Sequence, residues 1–230
     1  MNFELRNFVD PVEFRSAVTG THIVATGVAM RYEARSKPLT FHGRGVAREK
    51  FRPGAFAKTI QESDVRSHNE HFGPYLGRTG AGTLRLHDSR SELSYELDLP
   101  DTTAGRDTAV LLERGDIKGS SIGFRALPKG GELWSTDDDG LLLRSVVEAR
   151  LGFVDLTTAP AYDDSTAEMA LRSLASSHSI TFDDVCAAID VGDLRSLIFP
   201  PKRDENPDES DNDGRGSSTI SRRRIAWLHA

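Results

Sequence analysis

A regular alternation of apolar and polar residues in the first half of the chain does most to limit its fold. It runs through the stretches GTLRL and ELSYELDL, which flank the polar turn HDSRS. The apolar positions are Leu84 and Leu86 in the first stretch and Leu93, Tyr95, Leu97 and Leu99 in the second. Residues two apart share one face of a β-strand, so each stretch can bury one face and expose the other. The sequence therefore predicts a β-hairpin.

Other segments extend this strand prediction along the chain. The run THIVATGVAMRY, from Thr21 to Tyr32, is rich in β-branched residues, and its Gly27 marks a bulge or a close approach of another group. SSIGFRAL, GLLLRSVVEARL and FVDLTTAPAY are also strand-like, and the polar turns PKGGE and DDDG separate them. These segments favour a body that is mainly β.

Two helices are predicted between the strands. The first is short and has Phe56 and Ile60 four residues apart. The second lies in TTAGRDTAVLLERGDI, where Thr102 or Thr103 is the N-cap and Gly115 ends the helix. The stretch DVRSHNEHFGPYLGRT is predicted as a loop that ends in a turn.

The composition changes near the end of the strand-rich part. Helical spacing continues through AEMALRSLASSHS and TFDDVCAAIDVGDLRSLIFPP, whereas KRDENPDESDNDGRGSS has no apolar residue and cannot offset the entropy of ordering. We expect an N-terminal segment at 1–20, the main β domain at 21–175 and a helical appendage at 176–200. A disordered acidic linker at 201–218 and a basic, apolar docking peptide at 219–230 are expected to follow.

Charge and residue counts exclude several classes of protein. The 230 residues carry a formal net charge of −6, which does not attract nucleic acid or an anionic membrane. No stretch is apolar over the length of a signal peptide or a membrane span, so we expect a soluble cytosolic protein. The single cysteine, Cys186, permits no disulfide within the chain, and the seven histidines form no compact zinc motif. We expect neither a metal nor a cofactor.

Ser121 is a candidate nucleophile because of the residues around it. It lies in GDIKGSSIGF, where Gly115 and Gly119 precede a short apolar strand. Small residues beside a nucleophile let a substrate carbonyl and its hydrogen-bond donors come close. The same pattern is also typical of a glycine-rich turn that enters a core strand, so these residues alone do not decide between the two.

Five sequence blocks between Glu49 and Tyr162 resemble a known family. They are EKFRPGAF, YLGRTGAGTLRL, LDLPDTTAGRD, RGDIKGSSIGF and ARLGFVDLTTAPAY, in this order. In this order they resemble the prohead maturation proteases of tailed phages, a family related in fold to the herpesvirus assemblins. The resemblance implies an α+β fold in which a closed, mainly antiparallel β-barrel is flanked by helices. It also implies a serine endopeptidase.

The resemblance assigns the nucleophile and offers two bases. The nucleophile of the family immediately precedes a hydrophobic-Gly-Phe tripeptide, which makes it Ser121 here, while Ser120 would point to the opposite face of the strand. The general base is a histidine in the loop before the GRT turn. A gap-free alignment on that turn favours His71, and His68 is the alternative, which would need two extra residues in the loop.

The third catalytic residue departs from the pattern of the family. Many relatives carry an acid at the position of Phe153 here, so Asp155 is expected to take this role, with Glu148 as the alternative. A structural ion pair would equally explain either acid. For the oxyanion hole, the candidates are backbone N–H groups near Ser121 together with the stretch from Gly77 to Thr79 or from Gly140 to Arg144. Arg78 is otherwise expected to pair across the hairpin.

The resemblance also implies a role in virion assembly. We expect an endopeptidase that cleaves the scaffolding region of the major capsid protein, and itself, inside the assembling procapsid in the host cytoplasm. Its partners would be the capsid protein and further copies of itself, with no nucleic acid and no membrane. The alternative is a non-catalytic internal scaffold that retains the protease fold, and Phe153 at the position expected for an acid favours it.

Overall fold

Thirteen strands and five helices occupy the part of the chain that the computed structural model describes, which is residues 3–8, 13–16, 23–71, 73–158 and 164–200. The strands are β1 (Glu4–Phe8), β2 (Glu13–Ser16), β3 (Ile23–Arg31), β4 (Leu39–Phe41), β5 (Arg44–Phe51), β6 (Arg66–His68), β7 (Tyr75–Arg78), β8 (Leu84–Asp88), β9 (Glu92–Leu99), β10 (Gly119–Ala126), β11 (Glu132–Thr136), β12 (Leu142–Val146) and β13 (Ala149–Thr157). The helices are α1 (Ala57–Glu62), α2 (Thr103–Arg114), α3 (Asp164–His178), α4 (Phe182–Asp190) and α5 (Leu194–Ile198). The body is therefore mainly β with a few helices, as the sequence predicts.

Backbone pairing joins these strands into three sheets. The site sheet has the order β1-β10-β13-β6-β7, the hairpin sheet β2-β3-β9-β8, and the third sheet β11-β12-β5-β4. Most pairs are antiparallel, but β13 pairs parallel with β6, and β12 pairs parallel with β5. The pairings give three separate sheets, so the closed barrel that the resemblance implies stays a prediction.

The predicted hairpin is confirmed. β8 and β9 pair antiparallel, and the four alternate apolar residues of β9 are at most 5% exposed. They belong to the main core, which also contains Ile122 and Phe124 of β10. The predicted close approach at Gly27 is also confirmed, because a Cβ there would lie 2.7 Å from the Tyr95 hydroxyl. The bulge in β3 comes just after it, between Val28 and Met30.

Both predicted helices before Ser121 are confirmed. α1 is a short helix of six residues. In α2 the Thr102 side chain accepts a hydrogen bond from the Gly105 backbone N–H, and Gly115 ends the helix in the left-handed conformation. A threonine N-cap and a C-terminal glycine satisfy backbone groups that the helix leaves without partners. This helix connects β9 to the strand that carries Ser121.

The C-terminal helices share a second core with the third sheet. Apolar residues of α3, α4 and α5, among them Leu171, Leu174 and Val185, pack against Leu39 and Phe41 of β4. The boundary predicted between residues 175 and 176 lies within α3. The expected linker and docking peptide, at 201–230, lie outside the described residues, as does half of the N-terminal segment. None of the helices in the described ranges is long and apolar enough to cross a membrane.

Seven strands are missing from the sequence prediction, namely β1, β2, β4, β5, β6, β7 and β11. The segment DVRSHNEHFGPYLGRT forms β6 and β7 where a loop was expected, and ELWST forms β11. β6 and β7 have only three and four residues, too few to show a repeated alternation. β6 nevertheless pairs with β13, and this pairing brings the histidine segment to the site sheet.

A buried cluster of five ionised side chains holds β1 against the rest of the protein. It consists of Glu4, Arg6, Glu49, Glu132 and Arg144, whose side chains are at most 5% exposed. Arg6 bonds the Glu49 carboxylate at 2.6 and 2.9 Å. Arg144 bonds Glu4 at 2.9 Å, Glu49 at 2.8 Å and Glu132 at 2.7 Å. The cluster therefore ties β1 to β5, β11 and β12.

Candidate active site

Ser121 lies in the middle of β10 with a paired strand on each side. Its Cα is opposite Asn7 of β1 and opposite Asp155 of β13. The residue is fully buried, and its Oγ donates a hydrogen bond to the backbone carbonyl of Arg6 at 3.1 Å. In this arrangement the hydroxyl is held toward β1.

Ser120 serves the opposite face of β10. Its Oγ lies 2.8 Å from the Tyr95 hydroxyl, and both residues are buried in the main core. Burial raises the pKa of the Tyr95 phenol, so this hydroxyl stays protonated at neutral pH. Ser120 therefore makes a structural hydrogen bond, and Ser121 is the serine on the face of Asp155.

Asp155 bonds both candidate histidines. Its Oδ1 accepts a hydrogen bond from the backbone N–H of His68 at 2.8 Å and lies 3.0 Å from the Nδ1 of the same residue. Its Oδ2 lies 3.1 Å from the Nδ1 of His71. The Asp155 side chain is 1% exposed, whereas the two histidine side chains are 21% and 19% exposed. One buried carboxylate thus orients two partly accessible imidazoles.

This arrangement suits proton transfer. A carboxylate that accepts a hydrogen bond from Nδ1 holds the imidazole in the tautomer whose Nε2 is free to accept a proton. It also stabilises the imidazolium that forms when the proton arrives. Because Asp155 stands directly opposite Ser121 in the ladder, either imidazole is bound to the residue next to the serine.

Phe153 packs beside both imidazoles. Its ring centroid lies 6.2 Å from that of His68 and 5.8 Å from that of His71. The ring covers Gly123, where a Cβ would lie 2.1 Å from the ring atom Cζ. Gly123 therefore leaves the space that the aromatic ring fills, and the position expected for an acid instead supplies an apolar wall.

The sequence of residues 11–179 matches the family of caudovirus prohead serine proteases, over more than half of the chain. The chain belongs to this family. Among solved structures, the bacteriophage T4 capsid assembly protease gp21 is similar, with a TM-score of 0.46 and 11% sequence identity, over 69% of this chain and 98% of that one. No curated protein matches the sequence.

Glu148 is not brought to the histidines. Its carboxylate lies 3.9 Å from Lys58 and is 42% exposed. Glu148 precedes the first residue of β13, and Asp155 lies seven residues further along the chain. Of the two candidate acids, Asp155 is the one that lies beside the histidines, whereas Glu148 lies at the other end of the strand.

The two stretches expected to complete the oxyanion hole use their N–H groups elsewhere. Arg78 and Thr79 donate to Thr83 Oγ1 and to the Val65 carbonyl, at 3.0 and 2.9 Å. Gly140 and Leu141 donate to the backbone carbonyl and the side chain of Asp137, at 3.1 and 2.8 Å. The Arg144 side chain belongs to the buried cluster. These four N–H groups therefore already have acceptors within the protein.

Arg78 has a different partner from the expected one. Its guanidinium bonds Asp64 at 2.7 Å, in the segment before β6, and does not pair across the β8–β9 hairpin. No group of three or more His, Cys, Asp and Glu side chains in the described residues is arranged to hold a metal ion.

The shared use of Asp155 by two histidines was missed from the sequence. His68 is the last residue of β6, and His71 lies in the turn that follows. A parallel pairing with β13 brings both within reach of Asp155. The three-residue spacing of the histidines was visible in the sequence, but without the pairing it could not show that both reach one carboxylate.

Proposed function

We propose that this chain is a serine endopeptidase that cleaves the scaffolding region of the major capsid protein, and itself, inside the procapsid. The observation that supports this most is the buried Asp155, which bonds two imidazoles and stands opposite Ser121. Membership of the prohead serine protease family supplies the biological setting. Ser121 would be the nucleophile, and Asp155 would orient the base.

Two observations favour His68 as the base, although the loop length in the sequence favours His71. His68 lies on a strand, and both its backbone and its ring bond Asp155. His68 also lines an open cleft together with Asp155, and that cleft gives a peptide a route to the imidazole. A side chain held by a regular element is positioned more accurately than one on a loop. His71 would then be a positioning residue that holds the second oxygen of Asp155.

The proposed reaction follows from these roles. The Ser121 hydroxyl turns from the Arg6 carbonyl to the base, whose Nε2 removes the proton as Oγ attacks the peptide carbonyl carbon. The C–N bond then breaks, and the imidazolium returns the proton to the leaving amine. Water hydrolyses the resulting ester by the same proton transfers, which regenerates the Ser121 hydroxyl.

The closed barrel of the family is part of this proposal. β10 packs against β3, and β7 packs against β8 and β9, so the site sheet lies against the hairpin sheet. Their inward side chains form one main core. Closure around this core would fix β10 and β13 on its wall, with Ser121 and Asp155 facing outward.

A non-catalytic internal scaffold is the second candidate. The burial of Ser121 favours it, because a hydroxyl bonded to the Arg6 carbonyl is not poised for attack. The earlier support from Phe153 is weaker, since Asp155 now provides a carboxylate for the histidines. The two candidates differ in whether Ser121 is chemically necessary.

Replacement of Ser121 by Ala tests the proposal. Coexpression with the major capsid protein should give processed capsid protein from the wild-type chain and none from Ser121→Ala, as judged by intact mass. Ser120→Ala is the matched control, because it removes an adjacent hydroxyl on the opposite face. It should lose about 1 kcal/mol of stability with its hydrogen bond to Tyr95 but retain processing.

Processing that survives the loss of Ser121 would exclude the serine peptidase. If the wild-type chain processes nothing but both variants still support assembly of proheads, the scaffold role is the correct one. The thermal midpoints of the two variants should be measured alongside, so that loss of fold is separated from loss of chemistry.

A further inference from the structure

An open cleft begins at the proposed catalytic residues and runs away from them along β6 and β13. It has a volume of about 630 Å³ and includes His68 and Asp155 in its wall. Phe3, Leu151 and Phe153 give it an apolar side. A cleft that contains the base and its carboxylate is where the residues beside a scissile peptide bond would lie.

Two arginines line this cleft without a hydrogen-bonded or ion-paired partner among the described residues. Arg66 lies opposite Phe153 in the β6–β13 pair, and Arg150 lies opposite Arg125 in the β10–β13 pair. Among the residues that the structure describes, neither Arg66 nor Arg150 makes an ion pair or a side-chain hydrogen bond, and both are exposed. Like charges directly opposite each other destabilise a sheet. The pairing of Arg150 with Arg125 therefore does not stabilise the sheet.

The acidic groups of the cleft are already engaged. Asp155 bonds the two histidines. Asp64 accepts a hydrogen bond from the backbone N–H of Gly80 at 2.8 Å and bonds Arg78 at 2.7 Å. The Gly80 N–H, followed by Arg78 and Arg66, lowers the pKa of Asp64, which keeps this carboxylate ionised and bound to its partners. The two arginines are thus the charges of the cleft that remain available to a ligand.

The spacing along β6 places Arg66 close to the reaction centre. Arg66 precedes His68 by two residues on the same strand, and a strand rises by roughly 3.3 Å per residue. The Arg66 backbone therefore lies about 7 Å from that of His68. An extended peptide covers this distance in about two residues.

We propose that this cleft binds an acidic side chain of the substrate, within about two residues of the scissile bond, and that Arg66 and Arg150 are its specificity-determining residues. This inference rests on the proposed peptidase function. Guanidinium groups bind carboxylates with paired, charge-assisted hydrogen bonds. The apolar side of the cleft would cover the methylene groups of a glutamate.

Matched peptides test this inference. The scissile bond is first located by the mass of the processed capsid protein. Peptides that span it are then prepared with Glu or Gln at each position within two residues of the bond, and kcat/KM is measured with the wild-type full-length chain. At one position the Glu peptide should be cleaved at least about tenfold faster, as expected for one charge-assisted contact.

Variants of the two arginines show whether the cleft causes this preference. Arg66→Gln and Arg150→Gln should each bring the ratio of kcat/KM for the Glu peptide to kcat/KM for the Gln peptide closer to one. Arg90→Gln is the matched control, because Arg90 is an exposed arginine in the turn between β8 and β9 and does not line the cleft. It should keep the wild-type ratio.

The outcomes separate this inference from the function on which it rests. Wild-type cleavage without a preference for Glu at any of these positions overturns the inference and leaves the peptidase intact. A preference that neither arginine variant alters overturns the assignment of the cleft. Failure of the wild-type chain to cleave its capsid protein or any peptide overturns the function, and the inference with it. The preference for Glu is measured with the wild-type chain and the peptide pairs, so this test does not depend on whether the arginine variants fold.

Discussion

His68 and His71 compete for one carboxylate, and they differ in how the fold holds them. His68 ends a strand and bonds Oδ1 of Asp155 through its backbone and its ring. His71 lies in the following turn, and its Nδ1 bonds Oδ2. A base must both accept and release a proton at Nε2, whereas a positioning residue needs only to donate at Nδ1. Asparagine can imitate the second role but not the first.

Asparagine substitutions therefore separate the two histidines. His68→Asn should lower kcat by about a thousandfold, which is the range for loss of a general base. His71→Ala should lower it by about tenfold through the lost hydrogen bond, and His71→Asn should restore most of that loss because its amide N–H can reach Oδ2. Single-turnover cleavage of a capsid peptide is the measurement. An inactive His71→Asn beside an active His68→Asn would make His71 the base, as the loop length predicts.

The β10–β13 pair depends on the packing of Phe153 over Gly123. The register shifts beside this contact, between Gly123 and Phe124, and leaves Gly152 without a partner in the ladder. A Cβ at Gly123 would overlap the ring of Phe153, which also contacts both histidines. The packing of one aromatic ring thus links the geometry of the strand pair to that of the imidazoles.

Gly123→Ala should displace this ring and disturb both stability and activity. We expect a loss of about 1–3 kcal/mol in the free energy of unfolding, as for an overpacked site, together with a lower kcat. The double variant Gly123→Ala, Phe153→Ala should lose less free energy of unfolding than the two single variants lose together, since removal of the ring relieves the overlap. Urea unfolding and peptide cleavage measure the two effects. Additive losses would show that the ring and Gly123 do not interact as described.

The elements that could be predicted are those whose pattern repeats within the element. β9 has four alternate apolar residues and α2 has both of its caps, so both were found. β6 and β7 are too short for any repeat, and their strand character comes from pairing with each other and with β13. The site follows the same division. Ser121 could be proposed from its local motif together with the family resemblance, but the placement of Asp155 beside the histidines depends on contacts between residues more than 80 positions apart in the chain.

The buried cluster holds β1 against the third sheet, and β1 provides the carbonyl that accepts the hydrogen bond of Ser121. Glu4 and Arg6 belong to β1, while Glu49, Glu132 and Arg144 belong to three strands of the third sheet. Three carboxylates and two guanidinium groups share this site, so the loss of one partner leaves a buried charge uncompensated. The stability of the cluster is therefore linked to the environment of the nucleophile.

Acid should weaken this cluster through Glu4. Burial raises the pKa of Glu4, but Arg144 and Arg6 outweigh burial and bring it below its ordinary value of 4.5. A group whose pKa is lower in the folded state stabilises the protein above its unfolded pKa, and this contribution is lost as the pH falls through the folded pKa. The free energy of unfolding of the wild-type chain should therefore decrease as the pH falls below 4.5.

Glu4→Gln tests this origin of the acid sensitivity. The variant leaves Arg144 and Arg6 with one carboxylate fewer, so its free energy of unfolding should be about 3 kcal/mol lower than that of the wild type at pH 7. This difference should become smaller in acid, because the wild-type chain loses the same interaction there. Glu113→Gln on the exposed side of α2 is the control and should keep the wild-type pH profile. Urea unfolding from pH 7 down to about pH 3.5, which includes the range where an ordinary carboxylate titrates, measures the pH profiles of both variants. An equal cost at every pH would show that Glu4 is not the group that titrates.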